Sequence, residues 1–215
     1  MKSNSFPSHL GFIEDTVPDD IFDFLLTASY EAKKDESNLN YTLVGNLEES
    51  YSLDLPFYQF IQFEKYLLKV CNEYENKFKL MHFYPIISGD RPISLNLKTF
   101  WVNFQKKYEF NPVHHHTGFY SFVIWLKIPY DYREEFEADF CKNATAKYPG
   151  TFSFYFPNSK GQVEEKPIFL DKSFEKKIVV FPSTLSHCVY PFYTSDDYRI
   201  SISGNLYLDL DGGHI

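Results

Sequence analysis

The chain has 215 residues, a formal net charge of −8 and 20% aromatic residues, with Phe 23 and Tyr 17 but only Gly 9. That length suits one sizeable domain with a full hydrophobic core, and the many rings, which favour pleated half-buried surfaces, lean the fold toward β structure. The acidic balance argues against a phosphate backbone as partner, because nucleic-acid binders release counterions from basic surface.

Residues 1–7 lack the apolar core of a signal peptide, and no stretch approaches the roughly 18 apolar residues of a membrane span, so a soluble cytoplasmic protein without a membrane partner is expected. Thr16, Pro18, Asp19 and Asp20 supply an N-cap candidate, a proline and first-turn acids. Behind them Ile21, Phe22, Leu25, Leu26 and Tyr30 form an apolar stripe, which predicts a helix through about Lys34. A polar stretch covers about 35–50. A second helix is predicted over 55–76, where Phe60, Phe63, Leu67, Val70 and Cys71 recur at three and four. The first 80 or so residues thus read mainly as helix, a support region of about 1–90.

From Leu80 the period shifts to two. A strand is predicted over 99–104, then a turn over 106–112. The near-continuous apolar run 119–128 reads as a strand buried on both faces, and the charged, polar residues 131–149 as a loop or insertion next to a site. Short strands follow at 151–156, 166–170, 176–181, 187–192 and 198–208, the regular spacing of a sandwich or barrel. The fold class expected is mainly β with N-terminal helices, an α+β chain. Cys71, Cys141 and Cys188 are an odd count without CxxC spacing, which reads as reduced thiols.

The chemistry concentrates in the second half. His114, His115 and His116 are consecutive, and on a strand His114 and His116 share a face while His115 looks the other way. His187 follows the apolar run Ile178-Val179-Val180-Phe181-Pro182, a buried strand entering a turn. Imidazole suits iron, copper, nickel and zinc, and three of them with open positions point to catalysis rather than structural zinc. Cys188 would point away from such a metal and reads as core. Downstream, Arg199 offers a fork for two parallel hydrogen bonds to a carboxylate, with Ser201 on the same strand face. Arg199, Ser201, Ser203 and Asn205 share that face, which turns inward in a barrel only where it lines a wet or liganded cavity. Singly, each motif has a plain structural reading: a solvated histidine loop, an exposed strand face, a satisfied half-buried His187. Their conjunction favours a site.

Asn111-Pro112-Val113-His114-His115-His116, Phe181-Pro182-Ser183-Thr184-Leu185-Ser186-His187 and Tyr198-Arg199-Ile200-Ser201-Ile202-Ser203 resemble the His-x-His/Asp, distal His and Arg-x-Ser stations of 2-oxoglutarate- and iron(II)-dependent oxygenases. The likeness is to prolyl-hydroxylase-like members, particularly those carried by marine phages, and covers roughly 95–210. One position departs: the family's second ligand is usually Asp, and here it is His116, as in a minority. The resemblance implies a double-stranded β-helix, or jelly-roll, core over about 91–210 within a single domain, in the host cytoplasm if phage-encoded. It implies Fe(II) held by His114, His116 and His187, with Arg199 and Ser201 on the distal carboxylate of 2-oxoglutarate and O2 at the last position. Asn103, on the preceding strand, is a candidate contact to 2-oxoglutarate or a metal-bound water, or else a structural amide. Tyr120 and Trp125 would wall the pocket or be plain core. The activity implied is hydroxylation of a prolyl or other amino-acid residue, a free amino acid or a small molecule, with succinate and CO2 as co-products. The alternatives are a cupin-like three-histidine metalloprotein that does not use 2-oxoglutarate, and a non-catalytic jelly-roll interaction module.

Overall fold

The computed structural model describes residues 1–6, 10–34, 39, 42–84 and 94–209. In chain order these form β1 (Lys2–Ser5), β2 (Gly11–Thr16), α1 (Asp19–Lys34), β3 (Ser50–Ser52), α2 (Phe57–Phe78), β4 (Ser94–Gln105), β5 (Asn111–His114), β6 (Tyr120–Lys127), α3 (Tyr132–Phe136), β7 (Phe152–Pro157), β8 (Val163–Ile168), β9 (Lys177–Pro182), β10 (Ser186–Val189) and β11 (Arg199–Asp209). The strands make two antiparallel sheets, a major one ordered β1-β2-β9-β6-β11-β4-β3 and a minor one ordered β5-β10-β7-β8.

Side-chain alternation in the major sheet builds two cores. Phe122, Ile124, Val180, Ile200 and Ile202 pack with the helices, while Val123, Trp125, Val179 and Phe181 pack with Phe152, Phe154 and Phe156 of the minor sheet. Rings close this second interface, with Phe154 at 5.1 Å from Phe12 and 4.9 Å from Phe181. β6 is buried along nearly its whole length because both faces are covered, which is why its sequence shows no alternation.

Both helices form where their stripes predict. α1 carries Asp19 and Asp20 in its first turn and Lys33 and Lys34 in its last, which suits the helix dipole. α2 begins after Pro56, buries Phe63, Leu67, Val70, Cys71 and Tyr74, and ends where Lys79 turns left-handed at φ 52. No helix among the described residues is long and apolar enough to cross a membrane.

The N-terminal expectation needs correction, since the region read as mainly helical also contributes β1, β2 and β3 to the major sheet. β1 is a short polar edge strand, and β2 buries consecutive residues Gly11 to Ile13, so neither shows the alternation that identifies strands. Leu80–Phe83 is a 3-10 turn and not the start of the period-two region. The insertion after β6 contains α3, capped by Asp131, whose side chain accepts from the Arg133 amide.

Candidate active site

β5 and β10 lie side by side, and their register sets His114 directly opposite His187. The two rings stand 4.3 Å apart. β5 ends at His114, so His116 does not arrive by sharing a strand face as expected. With only β10 to pair with, and an irregular register there, the chain leaves the ladder. The His116 amide donates to the Ser183 carbonyl at 2.8 Å, and this bond returns the ring to within 5.0 Å of His114 and 5.1 Å of His187. His115 stays exposed.

The ligand-capable atoms of the three histidines all lie within 4.8 Å of one another. Among the described residues no other group of three or more His, Cys, Asp or Glu side chains converges in this way. His114 Nδ1–H donates to the Pro112 carbonyl at 2.7 Å, and His187 Nδ1–H to the Leu185 carbonyl at 3.0 Å. A carbonyl can only accept, so both protons sit on Nδ1 and both Nε2 lone pairs remain for a metal. Burial pushes all three imidazoles below their usual range: His114 is lowered, His116 goes to about 4, and His187 lies well below 6.5. All three are therefore neutral near pH 7. His116 Nε2 and His187 Nε2 approach to 3.3 Å; with the His187 proton on Nδ1, a His116 protonated on Nε2 donates to His187 here, and one protonated on Nδ1 turns a second lone pair to the same point. A neutral all-imidazole set fits Fe(II), as it fits copper, nickel or zinc.

Inward from the histidines runs a narrow cavity of ≈ 40 Å³, lined among others by Asn103, Gln105, Trp125, Arg199, Ser201 and Ser203. Arg199, 1% exposed, closes its far end. Its Nη1 donates to Tyr130 Oη, and its Nη2 donates to Gln105 Oε1 and to the Tyr190 carbonyl at 3.1 Å. No carboxylate among the described residues forms an ion pair with it. A buried guanidinium without a counter-ion is costly and calls for an anionic ligand.

Ser201 and Ser203 follow Arg199 on the cavity side of β11, and Asn205 continues that face toward the outer cleft. Asn103 stands opposite Ser201 in the ladder, and its Oδ1 accepts from Ser50 Oγ at 2.8 Å, leaving its NH2 for the cavity. Trp125 lines the cavity, whereas Tyr120 turns to the helix side and donates to Glu75 at 3.0 Å. Cys188 faces away, with Sγ 3.5 Å from Tyr155 Oη. Sequence reasoning missed Gln105, Tyr130 and Trp101. Gln105 was legible as the next same-face residue after Asn103; Tyr130, beyond the end of β6, carries no local signal.

Outside the histidines lies a second cleft of ≈ 580 Å³, which shares Trp101 and His116 with the inner cavity. The Trp101 ring is 5.9 Å from that of His116. Residues 42–47 form another wall beside His114 and His116, held to the chain before β5 by Asn46 N–H donating to the Phe110 carbonyl at 2.8 Å.

The sequence model of the family described as "Putative 2OG-Fe(II) oxygenase" matches residues 99–205, which hold all three histidines and Arg199. No curated protein matches in sequence. Among solved structures the chain is similar to a Pseudomonas putida prolyl-4-hydroxylase (14% identity, 92% of each chain covered, TM-score 0.56). It is also similar to AviO1 from Streptomyces viridochromogenes Tue57 (11% identity, 96% of this chain and 92% of that one, TM-score 0.52). A third is a Trichoplax adhaerens prolyl hydroxylase in complex with a hypoxia inducible factor oxygen degradation domain peptide fragment (12% identity, 93% and 83% covered, TM-score 0.50). At these identities the likeness shows the fold, a jelly-roll core. Donor set, an arginine paired with no carboxylate among the described residues, and family match agree on Fe(II), 2-oxoglutarate and O2 as the cofactors. The chain belongs to the 2-oxoglutarate- and iron(II)-dependent oxygenase superfamily.

Proposed function

We propose that this oxygenase hydroxylates an amino-acid residue within a polypeptide. The observation that carries the cosubstrate part is the pairing of three neutral imidazoles at one end of a cavity with a buried guanidinium at the other that no carboxylate among the described residues pairs with. In this reading His114, His116 and His187 hold the metal, Arg199 and Ser201 take the distal carboxylate of 2-oxoglutarate, and Asn103 offers its amide N–H to the cosubstrate or to a water. Iron(II) with 2-oxoglutarate and O2 supplies an oxidative decarboxylation, to succinate and CO2, coupled to oxygen insertion into a C–H bond. Three imidazoles contribute no negative charge, so the cosubstrate dianion neutralises the metal where the commoner Asp would share that role. Phe152 and Phe181, at 5.4 and 4.9 Å from the His187 ring, exclude water from that side.

The outer cleft supports the substrate part. Next to His116 its lining is neutral, with Ser52, Thr99, Trp101 and Asn205, while Asp54 and Lys98 are exposed. A free amino acid brings two charges that need ionic partners beside the reacting carbon. A residue inside a polypeptide brings neutral amides, which match this lining, and two of the similar solved structures are prolyl hydroxylases. One lysine in the cleft and a net charge of −8 disfavour nucleic acid.

The test is succinate formation from 2-oxoglutarate with Fe(II), with and without a peptide library that includes proline-containing members. Peptide-stimulated succinate with a mass gain of one oxygen on the peptide is expected. Stimulation by free amino acids and not by peptides overturns the substrate reading. Iron binding without 2-oxoglutarate binding overturns the cosubstrate assignment in favour of a three-histidine metalloprotein of another chemistry.

A further inference from the structure

Glu135 is a fully buried carboxylate, 0% exposed, that the reaction outlined above does not use. It sits on α3, in the insertion between β6 and β7, and its partners lie far along the chain. Oε2 accepts from the Tyr193 amide at 2.8 Å, and Oε1 accepts from the Thr194 amide at 2.9 Å and from Thr194 Oγ. Three donors leave one backbone turn, and a carboxylate meets all three because it accepts on both oxygens and donates on neither.

That turn is the back wall of the Arg199 pocket. Phe192, fully buried just before it, stacks on Tyr130 at 4.7 Å and 21° and lies 5.5 Å from the guanidinium. The Tyr190 carbonyl accepts from Arg199 Nη2, and Tyr130 Oη accepts from Nη1 while donating to the Gly150 carbonyl at 2.7 Å. The insertion grips the same segment by backbone bonds, Gly150 N–H to the Pro191 carbonyl at 2.8 Å and Tyr190 N–H to the Thr151 carbonyl at 2.9 Å. Gly150 lies so close that a Cβ there would meet the Tyr130 ring at 2.7 Å, at a φ of +72. Tyr130, Phe192 and the Tyr190 carbonyl are thus fastened to this insertion, with Glu135 as its charged fastening, while Gln105 holds the guanidinium from β4.

We infer that Glu135 is a positioning residue: through the 190–194 segment it aims Arg199 at the distal carboxylate of the cosubstrate. The inference rests on the cosubstrate assignment made above. Its consequence is selective. Loosening the turn weakens ligands that reach Arg199 and spares ligands that bind only at the metal.

Calorimetry on the full chain loaded with Mn(II), titrated with 2-oxoglutarate and separately with oxalate, reads this selectivity. Oxalate chelates the metal and has no distal carboxylate. In Glu135→Gln the dissociation constant for 2-oxoglutarate should rise about tenfold, the loss expected for one hydrogen bond to a charged group. Oxalate and Mn(II) affinities should change less than about twofold, within ordinary additivity error for a distant site. Thr194→Val, which removes only the hydroxyl donor, should raise the 2-oxoglutarate constant by about threefold, and it carries the test if Glu135→Gln does not fold. Equal weakening of both ligands, or of neither, overturns the inference while a wild-type preference for 2-oxoglutarate leaves the cosubstrate assignment standing. A wild type that binds oxalate and not 2-oxoglutarate overturns both.

Discussion

His114 and His187 occupy opposed positions on neighbouring antiparallel strands, with ring centroids 4.3 Å apart and each Nδ1–H donated to a carbonyl two residues upstream. The minor sheet itself holds two ligands in place and in the correct tautomer, and a loop anchored at Ser183 adds the third. Such preorganisation makes the site tolerant of change at its exposed neighbour and intolerant at its members.

His114→Ala, His116→Ala and His187→Ala should each abolish stoichiometric Fe(II) binding, while His115→Ala, an exposed position, binds within about twofold of wild type. Metal content after anaerobic loading and desalting checks this. A protein that depends on His115 and not on His116 contradicts the site geometry.

His116→Asp should retain Fe(II) and couple 2-oxoglutarate turnover to substrate at least as well as wild type, because a carboxylate restores the family's commoner charge pattern. The ratio of succinate to hydroxylated product is the measurement. Loss of metal binding would show that the loop after β5 reaches the metal only with the longer imidazole.

With a redox-inert metal in place, 2-oxoglutarate at 100 times its dissociation constant should stabilise the protein by about 2.7 kcal/mol. Arg199→Ala should lose most of this thermal shift and keep metal binding. Arg199→Lys should recover only part, since an ammonium supplies charge without the fork. An undiminished shift in Arg199→Ala would refute the assignment of the distal carboxylate.

The metal-free protein should lose stability as the pH falls from about 6.5 toward about 4. In that window the unfolded chain protonates imidazoles that burial keeps neutral in the folded state, so the unfolded state binds more protons; above 6.5 the effect vanishes. Holding His116 neutral down to about 4 corresponds to on the order of 3 kcal/mol at the low end. Thermal midpoints between pH 7 and 4.5 should show a shallower decline in His116→Asn than in wild type, and equal slopes would count against the buried neutral imidazole.

Gly11→Ala should cost about 1–3 kcal/mol, the usual range for overpacking. A Cβ there would sit 2.3 Å from the Asn4 carbonyl oxygen and 2.4 Å from Phe78 Cζ, where β2 meets both β1 and α2. Chemical denaturation measures the loss, with metal binding unchanged because β2 lies in the major sheet and the histidines on and beside the minor one. A neutral substitution would mean that β1 yields freely.

The two helices were legible because each has one face on the sheet and one in water, so the 3.6 period survives in the residues. The strands from β4 onward were legible through alternation or dense apolar runs. β1 and β2 were not, because a polar edge strand and a strand buried on consecutive residues give no contrast. In the site, the separated motifs around His114, His187 and Arg199 were readable because ligand and anion chemistry needs specific residue types. The route of His116 was misjudged, since β5 stops one residue after Val113 and only the Ser183 carbonyl explains the return. Gln105 and Tyr130 are ordinary polar residues until the fold sets them against one guanidinium, and Glu135 is one until it fastens the turn after Phe192.

From the residues alone followed the mainly β class, the helical stripes and the two chemical poles, imidazole and guanidinium, because burial preference and ligand type are properties of individual side chains. Only the tertiary structure decided that these poles face each other across one cavity, that no carboxylate among the described residues pairs with Arg199, and that an insertion holds it from behind. Those are relations between distant segments, and they exist only once antiparallel pairing has brought β4, β5, β10 and β11 together.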